Sequence, residues 1–229
     1  WSPLQRQQLM HRINDLMLKN AEELAIIETM DMGAPLTRTR GTINWISQLI
    51  HFFSSCTGST TSTTLSNSLP GNIMTLTHKA PLGVVGGIIP WNGPLGGQWW
   101  TLGPVLATGC TCVLKPAEDA ALSILRFAEI LVEAGVPDGV VNIVTGYGNE
   151  AGAALAAHRG VDKIAFTGST AVGKIIMKAI AGTILIVAAA IFYHARTDLA
   201  GRQIGYDERM GMISICEVAA KISGIAGVL

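Results

Sequence analysis

An α/β architecture built on a parallel sheet is what this sequence predicts, and two observations carry the prediction. Four short apolar runs, at residues 84–89, 111–114, 140–144 and 163–166, have the near-continuous hydrophobicity of strands buried on both faces. Between and after them lie stretches of helical character near residues 95–107, 120–134, 150–158 and 170–180. Parallel strands need crossover connections, usually helical, so this alternation gives a doubly wound, Rossmann-like sheet. Composition agrees: of 229 residues, 49% are hydrophobic, 14% are charged and 26 are glycine, as in a densely packed α/β protein.

The first eighty residues are organised differently. Ser2-Pro3-Leu4-Gln5 is a helix start, with Ser2 as N-cap, Pro3 in the first turn and Gln5 placed to close a capping box. Leu4, Leu9, Ile13, Leu16 and Met17 then recur at helical spacing. Asn20-Ala21-Glu22-Glu23 repeats the capping pattern for a second helix, which stops at Gly33 ahead of Pro35. A third helix covers about residues 37–53. Residues 54–68, rich in Ser and Thr, read as a loop or linker, and Leu69-Pro70-Gly71 as a turn. The alternation Ile73-Met74-Thr75-Leu76-Thr77 predicts an antiparallel strand.

Charge and cysteine usage narrow the function classes. Sixteen basic residues balance 16 acidic ones, so no basic field is available to attract nucleic acid or a membrane surface. Cys56, Cys110, Cys112 and Cys216 form no C-x-x-C pair and no Cys/His pattern, so no metal is expected. Cys110 and Cys112 share one strand face, where they read as small buried hydrophobes. Unpaired thiols fit a reducing, cytoplasmic setting. The chain opens with Trp1 and carries no signal-peptide pattern, which points to a fragment or a processed form. Residues 179–195 are uncharged, but this 17-residue run contains Gly182, Thr183 and His194. It falls short of the about 20 residues needed to span a bilayer, so no membrane helix is expected.

The residues with chemistry to offer sit where strands end. In Ile88-Ile89-Pro90-Trp91-Asn92-Gly93-Pro94-Leu95, Asn92 lies between the first buried strand and the next helix. In an open α/β sheet, that crevice beyond the carboxyl ends of the strands is where ligands bind. A side-chain amide there can donate to an oxygen that gains negative charge in a reaction. Phe166-Thr167-Gly168-Ser169-Thr170-Ala171-Val172-Gly173 follows a strand and opens a helix. Such a turn offers backbone N–H groups to phosphate; Gly168 permits close approach, and the Ser169 hydroxyl can donate to a phosphate oxygen. The same composition also serves as an ordinary helix cap. Gly146-Tyr147-Gly148-Asn149-Glu150-Ala151-Gly152 approximates G-x-G-x-x-G without the last glycine at that spacing, so a tight turn with close helix packing is the alternative. Lys115-Pro116-Ala117-Glu118 ends another strand. A glutamate there can accept from ribose hydroxyls and repel a 2′-phosphate, with Lys115 donating to the same sugar. The alternative is a solvated helix start.

Taken in order, Pro90-Trp91-Asn92, Lys115-Pro116-Ala117-Glu118, Pro137-Asp138-Gly139-Val140-Val141-Asn142 and Phe166-Thr167-Gly168-Ser169 resemble the aldehyde dehydrogenase superfamily. The resemblance covers residues 1 to about 182. It implies NAD as cofactor, with NADP disfavoured by Glu118. It places Ile88, Ile89, Pro90 and Trp91 at cofactor-contacting positions, Lys115 and Glu118 at the adenosine ribose, and Ser169 at the pyrophosphate, beside the close approach that Gly168 permits. Gly148 and Phe166 match the adenine-side wall, and Asn92 the oxyanion donor. It further implies a small-molecule aldehyde substrate oxidised to a carboxylic acid, and homo-oligomeric relatives. Gly93 stands where many relatives carry a bulky aromatic, followed by Gly96 and Gly97. Either the substrate entrance is wide, with Trp99 or Trp100 lining a wall, or these glycines ease helix packing.

Two groups that the family chemistry needs are out of register. Relatives carry the general-base glutamate in a Glu-Leu-Gly-Gly-Lys run shortly after the Gly-Ser-Thr helix; here Gly182 leads into Thr183-Ile184-Leu185-Ile186-Val187. Ala190-Ile191-Phe192-Tyr193-His194-Ala195 resembles the approach to the nucleophilic cysteine, but Arg196-Thr197-Asp198-Leu199-Ala200-Gly201 follows. Cys216, beside Ile215 and Val218, reads as packing. The expectation is a cofactor domain over residues 1–182, then a short, truncated remnant of the catalytic domain over residues 183–229 after an internal deletion. Such a chain keeps the cofactor site and Asn92, lacks nucleophile and base, and alone is expected to oxidise little or no aldehyde. One alternative is a non-enzymatic nucleotide-binding or interaction remnant that associates with a full-length subunit, since an uncovered sheet edge invites pairing. Another is a membrane-anchored fragment using residues 179–195.

Overall fold

The structure, a computed structural model, describes residues 1–180. Three helices come first. α1 (Pro3–Lys19) is opened by a reciprocal capping box, with Ser2 N–H donating to Gln5 Oε1 at 2.8 Å and Gln5 N–H to Ser2 Oγ at 3.2 Å. Its buried stripe is Leu9, Met10, Ile13, Asn14 and Met17. Leu4, expected on that stripe, is exposed, because it lies in the first turn beyond the layer that α1 packs against. α2 (Ala21–Met32) ends at Gly33 with φ 75°, as expected of a left-handed cap. Asn20 departs from the capping expectation. Its side-chain nitrogen donates back to Leu16 O at 2.8 Å, its Oδ1 faces Arg126, and its side chain makes no cap hydrogen bond to α2. α3 (Leu36–Cys56) packs across both earlier helices.

The Ser/Thr-rich segment is not wholly a loop. Its first residues finish α3, and Thr64–Leu65 (β1) pairs antiparallel with Thr75–Leu76 (β2), Thr64 opposite Leu76. The Thr63 and Thr77 hydroxyls meet at 2.7 Å beside that pair, so threonines that look like linker in the sequence close a small ribbon.

The main sheet is parallel throughout. β3 (Val84–Ile88), β4 (Thr111–Lys115), β5 (Val141–Ile143) and β6 (Lys163–Phe166) stand in the order β5-β4-β3-β6. The chain runs from β3 to β4 to β5 in one direction, then returns to place β6 on the other side of β3. The helical stretch after β3 is split into α4 (Pro94–Gly97) and α5 (Trp99–Thr108); α6 (Leu122–Glu133) follows β4. A π-helical turn (Gly148–Gly152) and α7 (Ala153–Ala157) replace the single helix expected after β5, and α8 (Thr170–Ile180) follows β6.

Helices cover both faces of the sheet. The larger core joins α1, α2, α3, α5 and α6 to β3 and β4 through residues such as Ile13, Ile46, Leu102, Leu114 and Phe127. A smaller one joins Leu155, Val161, Ile164, Phe166, Ile176 and Ile180. Tight spacing explains two glycines. A Cβ on Gly87 would lie 2.6 Å from Leu114 Cδ2 and 3.1 Å from Thr101 Cγ2 of α5, and one on Gly103 would land on the Phe53 ring. α5 is thus wedged between α3 and the sheet, as closely as an absent side chain permits.

Candidate functional site

Parallel register assembles the site. Ile88 is opposite Lys115 on one side and Phe166 on the other, so the last residues of β4, β3 and β6 form one row at the carboxyl edge. Ile89 N–H extends the ladder to Lys115 O at 2.9 Å, after which the chain leaves the sheet through Pro90, Trp91 and Asn92. Because β4 and β6 flank β3 on opposite sides, this edge between β3 and β6 is the point where strand order reverses. Crevices at such points are the ligand sites of open α/β sheets.

On the β4 side, the Lys115 side chain is only 2% exposed, and its Nζ donates to Glu118 Oε2 at 2.7 Å. The other carboxylate oxygen faces the Gly148 N–H at 3.4 Å. The lysine hydrogen bond, foremost, and the backbone amides hold the Glu118 carboxyl below its usual range. Glu118 is 38% exposed, so an anchored, ionised carboxylate is presented at the rim. The solvated-helix reading fits Glu118 in part and Lys115 not at all.

On the β6 side, Ser169 caps α8: its Oγ accepts from Val172 N–H at 3.3 Å, and its carbonyl accepts from Gly173 N–H at 3.0 Å. The cap and phosphate readings are compatible, since the N–H groups of Thr170 and Ala171 begin the helix without intrahelical acceptors. Phe166 is buried beneath this turn, and a Cβ on Gly168 would sit 2.5 Å from Phe166 Cζ. Gly168 therefore lets the turn lie directly on the ring. Gly148 begins the π-helical turn and is exposed beside Glu118.

In the middle, Ile89 is buried, Ile88 and Pro90 are half-buried, and Trp91 is exposed. Asn92 is half-buried, and its side-chain amide makes no hydrogen bond among the described residues. Its carbonyl accepts from Arg38 Nη2 at 3.0 Å. Arg38 is a contact that sequence reading missed: it lies 54 residues upstream, in a helix carrying no motif. The thiols do not approach Asn92. Cys112 pairs in register with Val85, near the opposite end of β3, and burial pushes its thiol up to about 12. Cys110 is buried one residue before β4; Cys216 and the segment 183–229 lie outside the described residues.

The wide-entrance expectation divides. No atom lies within 4 Å of a Cβ placed on Gly93, so the space there is open. A Cβ on Gly96 would meet Trp45 at 3.0 Å, so that glycine serves packing. Trp99 cannot line a wall: it is fully buried, edge-on to Phe127 with ring centroids 5.8 Å apart. Trp100 is half-buried and packs against Trp45.

A doubly wound parallel sheet with this edge is the architecture of a nucleotide-binding α/β domain. Comparison with known proteins narrows it. A sequence model described as the aldehyde dehydrogenase family matches residues 1–190, and the chain belongs to that family. It is 47% identical over 169 residues to hydroxyisobutyraldehyde dehydrogenase of Mycolicibacterium austroafricanum, covering 74% of this chain and 33% of that protein. It is 42% identical over 181 residues to the NADP/NAD-dependent aldehyde dehydrogenase PuuC of Escherichia coli (strain K12), covering 77% and 36%. The NAD+ complex structure of aldehyde dehydrogenase from Bacillus cereus matches with TM-score 0.77 and 40% identity, over 82% of this chain and 39% of that one. The chain thus spans well under half the length of these relatives.

Proposed function

We propose that residues 1–182 are an aldehyde dehydrogenase cofactor domain that binds NAD, with Asn92 as oxyanion donor toward an aldehyde. The row Phe166–Ile88–Lys115, with Glu118 anchored on Lys115, carries this reading. The donor set suits a dinucleotide: an ionised carboxylate for ribose hydroxyls, helix-start N–H groups for pyrophosphate, and an apolar floor at Ile88, Ile89 and Pro90. Ser169 and Gly168 would hold the pyrophosphate, Glu118 and Lys115 the ribose, and Gly148 and Phe166 the adenine side, with Trp91 at the crevice mouth. When bound, NAD supplies a hydride acceptor. The Asn92 amide is free to donate to an aldehyde oxygen as negative charge develops there.

Glu118 favours NAD over NADP, because a 2′-phosphate would meet a carboxylate. Titrating the tryptophan fluorescence tests this: NAD should quench at lower concentration than NADP, and Glu118→Gln should narrow the gap. Equal or tighter NADP binding by the unaltered chain overturns the preference.

The chain alone is expected to form little or no NADH from any aldehyde. Cys110 and Cys112 lie toward the end of the sheet away from Asn92, Cys56 closes α3 at the end away from Arg38, and no Glu-Leu-Gly-Gly-Lys run occurs in the 229 residues. Covalent aldehyde oxidation needs both an activated nucleophile and a base. Steady NADH production from a panel of aldehydes would overturn this.

A second reading, an interaction remnant that pairs with a full-length subunit, draws support from β6. Among the described strands it neighbours only β3, while Val172, Ile175 and Met177 of α8 are exposed. Size-exclusion profiles with and without an intact relative distinguish the two readings.

A further inference from the structure

The turn that carries Asn92 is gripped at both ends by helices that precede it in the chain. Arg38 of α3 donates to the Asn92 carbonyl at 3.0 Å. Three residues on, the Leu95 backbone N–H faces the carboxyl of Glu28 on α2, a side chain that is 1% exposed. That amide needs an outside acceptor. It belongs to the first turn of α4, whose N-cap is Gly93 with no side-chain cap, and Pro94 carries no N–H.

We infer that Glu28 and Arg38 are a positioning pair for Asn92, the carboxylate taking the Leu95 N–H and the guanidinium the Asn92 carbonyl. Together they fix both ends of a four-residue backbone segment and so the direction of the Asn92 side-chain amide. The importance of that direction rests on the reading of Asn92 as oxyanion donor; the geometry does not.

Four elements surround the carboxyl. Ser123 of α6 offers a hydroxyl, α4 the Leu95 amide, α3 the Arg38 charge, and α2 itself the like charge of Asp31. Of the other arginines on the elements that surround it, Arg40 is paired with Glu22 and Arg126 with Glu23 and Glu129. Glu28 Oε2 and Ser123 Oγ are both buried, and the hydroxyl lies near the carboxyl without completing a hydrogen bond to it. Burial outweighs the partners and pushes the Glu28 carboxyl up to about 7. Its charge, and with it the grip on Leu95, therefore changes across neutral pH.

¹H–¹⁵N spectra of the whole chain from pH 5.5 to 8.5 test the pair through the Leu95 backbone amide and the Asn92 side-chain amide. Both signals should move along one curve with its midpoint at about 7. Glu28→Gln, which keeps an acceptor oxygen, should abolish both titrations and leave Asn92 near a single position. Arg38→Met should displace the Asn92 signals while the Leu95 midpoint persists. The inference is overturned if Asn92 stays still while Leu95 titrates, or if a folded Glu28→Gln chain titrates at Asn92 as before. Should Glu28→Gln fail to fold, the titration of the unaltered chain still decides. The readout needs neither NAD nor aldehyde, so its failure and that of the cofactor reading are separable.

Discussion

Lys115 places an ammonium at the end of a buried strand, with Glu118 as its counter-ion. Removing the carboxylate strands that charge, and Glu118→Ala should lower stability by roughly 1–3 kcal/mol in urea unfolding. Lys115→Met should cost less, because the buried charge leaves with its partner need. The Glu118 pKa is depressed, so its contribution is present above its unfolded value and fades as pH falls through the folded one. Glu28 has the opposite sign. Its carboxyl is raised from 4.5 to about 7, so between those values the folded chain holds a proton that the unfolded chain has released. Stability from this group is complete below the lower value and lost as pH rises through the upper. Glu28→Gln should therefore be more stable than the unaltered chain by about 1–3 kcal/mol at pH 8, with the difference vanishing near pH 4.5. Melting curves at the two pH values check it. A chain that retains Glu28 gives up stability, which suits a group kept for its hold on the Asn92 turn.

Elements show where local signals suffice and where they do not. The α1 start was readable because its capping box closes within four residues, Ser2 to Gln5. Asn20 carried a similar signal, yet Arg126 and Leu16 claim its side chain, so tertiary contacts outweighed a cap. The break between α4 and α5 follows Gly96-Gly97, and the π-helical turn lies in the run Gly148–Gly152, so glycines mark both places without saying which geometry results. Spacing between elements is set by what is missing. Gly103 brings α5 against Phe53, and Gly103→Ala should cost about 1–3 kcal/mol by overpacking, seen as a lowered thermal midpoint.

At the scale of the molecule, the described residues hold a large core on one face of the sheet and a small one on the other. Fewer buried apolar contacts mean a lower local opening free energy. Hydrogen exchange should therefore be faster in β6, α7 and α8 than in β3, β4 and α5. Adding NAD should slow exchange at both ends of the Phe166–Ile88–Lys115 row, coupling the two faces through the site. Uniform exchange across the sheet, unchanged by NAD, would contradict both the division and the proposed binding edge. Among the described residues, no helix is long and apolar enough to cross a membrane. The candidate span at residues 179–195 lies almost wholly outside them.

The sequence by itself determined the strands of the parallel sheet, the glycine and serine turns at their ends, and the family, because each is written in contiguous residues and short-range periodicity. Only the tertiary structure decided that Ile88, Lys115 and Phe166 share one row, that Trp99 is core rather than a wall, and that Glu28 and Arg38 reach the Asn92 turn. Those outcomes depend on register, burial and contacts across dozens of residues, where side chains compete for partners that no local pattern can name.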